Sequence, residues 1–190
     1  DSRGVCILFK NTFYLDIHDV LSDPEGRYII ADVTIGSKRL SLVNIYGPNQ
    51  DKPLFFENMI SLVEGIPNDE KIVGGDFNFV LDIDKDKRGG NPHTHAKAQA
   101  VVTAWMEDTD LIDIWRIQNP DKFRFTWYTN NPSAIFCRLD FFLVSFSLSS
   151  CIKSTDIRPG FKTDHSLITL KLSAESTERA RVFGNSIVHF

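Results

Sequence analysis

An apolar strand that runs into two glycines and then into alternating polar residues constrains this chain more than any other stretch. It reads Lys71-Ile72-Val73-Gly74-Gly75-Asp76-Phe77-Asn78. Ile72 and Val73 predict a buried strand. Two glycines let the backbone approach whatever lies beyond the strand end. In extended chain Asp76 and Asn78 share one face, with Phe77 on the other. A carboxylate beside a carboxamide at a buried strand end suits the activation of water and the holding of a phosphate. Gly, Asp and Asn are also the ordinary residues of a turn. The remaining strands and their polar breaks separate these readings.

Val5–Phe9 is an apolar run that predicts a buried strand, and Phe13–Leu21 alternates loosely. Asp23-Pro24-Glu25-Gly26 is a turn signal, followed by strands over Tyr28–Ile35 and Leu40–Tyr46. The first 46 residues thus read as an antiparallel meander. Asp51 is a candidate N-cap, with Pro53 in the first turn of a helix that Phe55, Met59, Leu62, Val63 and Ile66 mark by their spacing. Beyond the central strand, Asp82–Asn91 reads as a solvated loop, and Thr94 as the cap of a second helix bearing Ala98, Val101, Val102 and Trp105. Leu111–Trp115 reads as a helical connection, Phe123–Tyr128 as extended chain, and Ile135–Val144, Cys151–Ile157 and Leu167–Leu172 as strands. Residues 174–190 decay into charge and read as a tail or linker after a domain over 1–173. Interleaved strands and helices predict an α/β fold of two sheets packed face to face with helices outside.

The length of 190 residues allows one domain with a sizeable core, to which 15 Phe contribute. A net charge of -4 excludes a broadly basic nucleic-acid coat and leaves room for a local groove at Lys85, Lys87 and Arg88. Cys6, Cys137 and Cys151, three widely spaced thiols, predict neither a disulfide frame nor a zinc site, and point to a reducing, intracellular setting. No apolar run is long enough to span a bilayer. Asp1-Ser2-Arg3-Gly4 is neither a signal peptide nor a start, so the chain is expected to begin partway into something longer.

Four polar islands interrupt the strands: Asn44-Ile45-Tyr46, Asp76-Phe77-Asn78, Arg138-Leu139-Asp140 and Asp164-His165. Phosphodiester hydrolysis needs this assortment. A carboxylate deprotonates water, carboxylate oxygens hold a hard divalent cation, and donors hold the phosphate oxygens. A His beside an Asp keeps its proton near neutral pH. An Asp-His pair is also a common capped turn, and Tyr46 a common half-buried sheet residue. Asp140 inside an apolar strand demands a partner, because an unpaired buried carboxylate is costly; His165 and Arg138 are the candidates.

At these residues the chain resembles the endonuclease/exonuclease/phosphatase superfamily, and within it the apurinic-type endonuclease domain of LINE-type (non-LTR) retrotransposon polyproteins. The resemblance is carried by Arg3–Phe9, Asn44-Ile45-Tyr46-Gly47-Pro48-Asn49, Gly75-Asp76-Phe77-Asn78, Asp110–Arg116, Phe125-Thr126-Trp127, Arg138-Leu139-Asp140-Phe141-Phe142 and Thr163-Asp164-His165-Ser166, in the family's order. It implies a four-layer, DNase I-like sandwich of two mixed sheets and nicking of DNA with Mg²⁺, or Mn²⁺. By resemblance Asp76 activates the water, Asn78 and Tyr46 hold the phosphate, and His165 stabilises its charge, oriented by Asp140. Asp164 falls at the edge of metal and phosphate, and Thr126 and Arg138 fall where the family contacts DNA. Trp127 and Tyr128 either line the groove or pack in the core.

The family's Asn strand and its Gln-Glu strand, which carries the metal-binding Glu, are absent ahead of Arg3. The first strands of one sheet are expected to be missing and activity to be impaired. A non-catalytic remnant, and a phosphatase or abasic-site repair nuclease of the same superfamily, are the alternatives. A DNA partner, a longer polyprotein with a reverse transcriptase, no membrane, and a nuclear or cytoplasmic location complete the expectations.

Overall fold

The computed structural model describes residues 4–10, 12, 14–90, 95–130, 133–160, 163–173 and 186–189. Its largest element is a six-stranded sheet in the order β1-β2-β3-β4-β9-β6. Strands β1 (Asp16–Ser22), β2 (Tyr28–Ile35) and β3 (Lys38–Tyr46) form the expected antiparallel meander. Gly26, at φ 73, makes the turn between the first two. Strand β4 (Lys71–Asp76) lies parallel to β3, and β9 (Asp140–Ser145) lies antiparallel to β4. The edge strand β6 (Leu111–Asp113) and the short helix α4 (Ile114–Gln118) replace the expected helical connection. Pairing of Leu111–Asp113 on Leu143–Ser145 overrides local helix preference there.

Side-chain alternation on the central strands feeds two cores. Val43, Ile45, Val73, Phe141 and Leu143 face helices α1 (Pro53–Glu64) and α3 (Ala96–Asp108), meeting Phe56, Met59, Val63, Ala98, Val102 and Trp105. Leu40, Leu42, Ile72, Phe142 and Val144 face the other way. They pack on a second sheet of β10 (Ile152–Arg158), β11 (Leu167–Leu172) and β12 (Ser186–His189), through Ile157, Ile168, Leu170 and Leu172. The order of helices, large mixed sheet and second sheet is the layered α/β architecture expected. Of 174–190, only Ser186–His189 is described, paired on β11. No described helix is long and apolar enough to cross a membrane.

Four other expectations are corrected. Residues 5–9 alternate between exposed and half-buried but join no strand; Ile7 and Phe9 pack on the second core. Asp51 does not cap α1, whose N-cap is Lys52. Its carboxylate instead accepts from the N–H groups of Lys97 (3.2 Å) and Ala98 (2.8 Å), serving the first turn of α3. Thr94, expected in that place, lies outside the described residues. The stretch Asp82–Asn91 contains a helical turn, α2 (Ile83–Asp86), and β5 (Lys87–Arg88). Finally, Ile135–Val144 is two strands, not one: β8 (Ile135–Cys137) joins β5 and β7 (Trp127–Thr129) in a small sheet, and β9 starts three residues later.

Candidate active site

The break between β8 and β9 has a cause in Thr126. Its side chain is 1% exposed, and its hydroxyl accepts from the backbone N–H of Leu139 (2.9 Å) and of Asp140 (3.0 Å). Arg138 is also 1% exposed and turns inward. Asp86 accepts from it at Oδ1 and Oδ2, both at 2.7 Å, and Asp113 at 2.5 Å; Arg116 donates to Asp86 at 2.5 Å. Two guanidinium groups thus meet two carboxylates, with Arg138 stacked near Trp115 and Phe141. Burial alone would lower the affinity of Arg138 for its proton, and the adjacent Asp113 and Asp86 outweigh it and raise that affinity. Thr126 and Arg138 were expected to contact DNA. Both are buried, and what they touch is the backbone and the acidic pair that set the start of β9.

Asp140 is thereby held where three strands come into register. Tyr46 ends β3 opposite Asp76, which ends β4 opposite Asp140. Gly75, at φ 131, sits against Ile45, where a Cβ would come within 2.1 Å of the carbonyl oxygen. Phe77 points into the core as its alternation requires, stacked on Phe141 at 4.1 Å. Asn78 curls back in the left-handed region, at φ 57. Its N–H donates to Asp76 Oδ1 (2.8 Å), and its amide reaches Gly47 O (2.8 Å) and Asp76 Oδ2 (3.3 Å). His95, which the sequence did not single out, meets Asn78 O through Nδ1 at 2.6 Å.

The 163–166 loop closes the site. Ser166 N–H donates to Thr126 O (2.6 Å), and His165 forms a bridge with Trp127. His165 Nδ1 lies 3.0 Å from Asp140 Oδ2. Ligand atoms of Asp76, Asp140 and His165 all fall within 4.8 Å of one another. Asp164, expected at the metal, is outside this group; it is exposed and accepts from the Trp127 indole at 2.9 Å. Tyr46 is 36% exposed, with Arg27 over its ring at 5.8 Å.

The electrostatics follow from this crowding. Burial first, and then the Asp140 charge, push the Asp76 carboxyl up to about 7. The hydrogen bond to Asp140 raises His165 above the usual imidazole range against the opposing effect of burial. The indole bond holds Asp164 below the usual carboxylate range. A carboxyl that exchanges its proton near neutrality and an imidazole whose hold on its proton is strengthened are an acid–base set. Two carboxylates in one cluster are the hard oxygen donors that a divalent cation takes, and a cation would offset their repulsion.

Tyr46, Asp76, Asn78, Asp140 and His165 are brought together, as the sequence suggested. The Asp86–Arg138–Asp113–Arg116 group was missed. Asp113, flanked by Ile112 and Ile114, carried the same signal as Asp140, an acid in an apolar run. Asp86, in the run Asp82-Ile83-Asp84-Lys85-Asp86-Lys87, carried none.

The chain is 30% identical over 194 residues to the Transposon TX1 uncharacterized 149 kDa protein of Xenopus laevis, an alignment covering 98% of the chain and 15% of that protein. The chain therefore spans about 15% of the length of that curated relative. Among solved structures it is similar to an AP endonuclease from Archaeoglobus fulgidus (TM-score 0.67, 16% identity, 84% of this chain and 72% of that one). It is similar also to the 3'-5' exonuclease from Neisseria meningitidis (0.66, 21%, 83% and 72%). A third is the endonuclease domain of TRAS1, a telomere-specific non-LTR retrotransposon (0.62, 16%, 83% and 70%). No family model matches the chain. At 16–21% identity this structural likeness shows the fold, and the chain has the DNase I-like fold of these structures.

Proposed function

We propose that this chain hydrolyses DNA phosphodiester bonds, as a nicking endonuclease of retrotransposon type. The observation that carries the reading is the register of Tyr46, Asp76 and Asp140 across three strand ends, with His165 bonded to Asp140. Asp76 takes the proton from the attacking water, a role suited to a carboxyl near neutrality. Asn78 and Tyr46 hold the phosphate oxygens. His165, kept protonated by Asp140, places positive charge on the phosphoryl group. Asp164, fixed by the Trp127 indole, borders that position. A divalent cation, Mg²⁺ or Mn²⁺, held by the Asp76 and Asp140 carboxylates, would offset negative charge as the phosphate is attacked. Thr126 and Arg138 act on the DNA only through the strand they position. The match to part of a 149 kDa transposon protein supports a polyprotein setting; a companion reverse transcriptase and a nuclear or cytoplasmic site of action belong to the same reading.

The test is nicking of supercoiled plasmid with Mg²⁺ by the chain and by its Asp76→Ala variant, each shown to be folded. Nicking abolished both by the substitution and by chelation is the expected result. A folded wild type that leaves the plasmid intact would favour a non-catalytic remnant instead.

A further inference from the structure

The small sheet carries two rows of side chains across its three strands. Its register aligns Lys87, Cys137 and Trp127 in one row and Arg88, Phe136 and Tyr128 in the next. Successive residues of a strand point to opposite faces. The Trp127 row therefore serves the carboxylate cluster, where the indole donates to Asp164. The Arg88–Phe136–Tyr128 row looks outward. Tyr128 and Phe136 are stacked, with centroids 6.3 Å apart and planes 22° apart, and Phe125 joins Phe136 at 5.7 Å. Arg88 lies over the Phe123 ring at 4.4 Å.

These rings are not core. Phe123 is 51% and Tyr128 49% exposed. Beside them lies an open cleft of about 310 Å³, at the small end of ligand clefts, bounded by Phe123, Arg124, Tyr128 and Phe136 and reaching Trp127 and Ser166 beside the candidate site. Guanidinium groups stand at these rings: Arg124 lines the cleft and Arg88 lies over Phe123. Rings that accept a flat partner, with guanidinium groups beside them, are the composition of a platform for unpaired bases and their phosphates.

We propose that this face, which runs on from the candidate site at Trp127 and Ser166, stacks the bases of an unpaired strand. It extends the nucleic-acid reading of the chain and does not depend on cutting. A duplex keeps its bases in the stack, so the face selects DNA with a single-stranded segment.

Binding of fluorescein-labelled dT12 to the 190-residue chain, followed by anisotropy in EDTA, tests this. The Phe123→Ala/Tyr128→Ala variant is expected to bind at least fivefold more weakly, with its melting temperature retained because both rings are half exposed. Asp76→Ala is expected to bind like the wild type, and a 12-bp duplex to compete poorly. Unchanged binding by the ring variant would overturn the proposal. So would an equal loss in Asp76→Ala, which would put the strand in the carboxylate cluster. No binding by the wild type would overturn it too, and would leave the face to a protein partner. Loss of nicking with dT12 binding intact would count against the hydrolase reading alone.

Discussion

Replacing Arg138 with Met tests how β9 is held. The guanidinium is 1% exposed and makes three short bonds to two carboxylates, Asp86 at 2.7 and 2.7 Å and Asp113 at 2.5 Å. Met keeps the apolar stem against Trp115 and Phe141 and removes only the charge and the donors. Asp86, with no exposure, then keeps Arg116 as its one ion-pair partner among the described residues, beside the Asp82 N–H, and Asp113 loses its own. Removing one partner of a buried ion pair costs about 3–5 kcal/mol, chiefly because the other charge stays buried. For a chain of this size each kcal/mol moves Tm by about 2–4 °C, so a fall of about 6–20 °C is expected. Thermal unfolding by circular dichroism reads it. The Asp86→Leu/Arg138→Met double variant is expected to cost less than the two single changes together, because it removes both ends of the pair. A Tm within about 2 °C of the wild type would refute the argument, since the figure of 3–5 kcal/mol requires a larger shift. Strict additivity in the double variant would refute it as well.

Two further substitutions probe the same frame. Gly75→Ala places a Cβ 2.1 Å from Ile45 O at a φ of 131 that L-residues rarely adopt, so backbone strain of about 1–3 kcal/mol adds to a clash; loss of both Tm and plasmid nicking is expected. Thr126→Val removes the acceptor shared by the Leu139 and Asp140 N–H groups, at about 1–3 kcal/mol for each donor left buried, whereas Thr126→Ser keeps it and is expected to retain Tm and nicking.

What the sequence made legible was what periodicity and local polarity encode. The meander through Tyr46, the helix after Pro53 and the strand Leu167–Leu172 were read from alternation and turn residues alone. Asp76, Asp140 and His165 stood out because each interrupts or ends an apolar run. Illegible was whatever depends on partners distant in the chain. Asp51 looked like the cap of the helix beside it and serves one that starts 45 residues later. The strand over Ile135–Val144 divides because Thr126 and Asp86 bond to its middle, and neither is a neighbour in sequence. Asp86 itself hides among charges that would be solvated on any surface loop. Thr126 and Arg138 matched motif positions expected at DNA, but position in a motif does not say which way a side chain points.

The most direct measurement of the central claim is the pH dependence of plasmid nicking, at one saturating cation concentration, for the wild type and Asp140→Asn. Burial and the Asp140 charge raise Asp76, so its base form grows as pH rises through about 7, or lower with a cation bound. His165 works protonated and is raised by its bond to Asp140, so activity falls again as pH rises past its own titration. Asn at position 140 removes the like charge beside Asp76 and the carboxylate beside His165. The predicted result is a bell-shaped profile whose two limbs both move to lower pH in the variant. A profile whose limbs stay in place, or move apart, would contradict the coupling of Asp76, Asp140 and His165 on which the proposed chemistry rests.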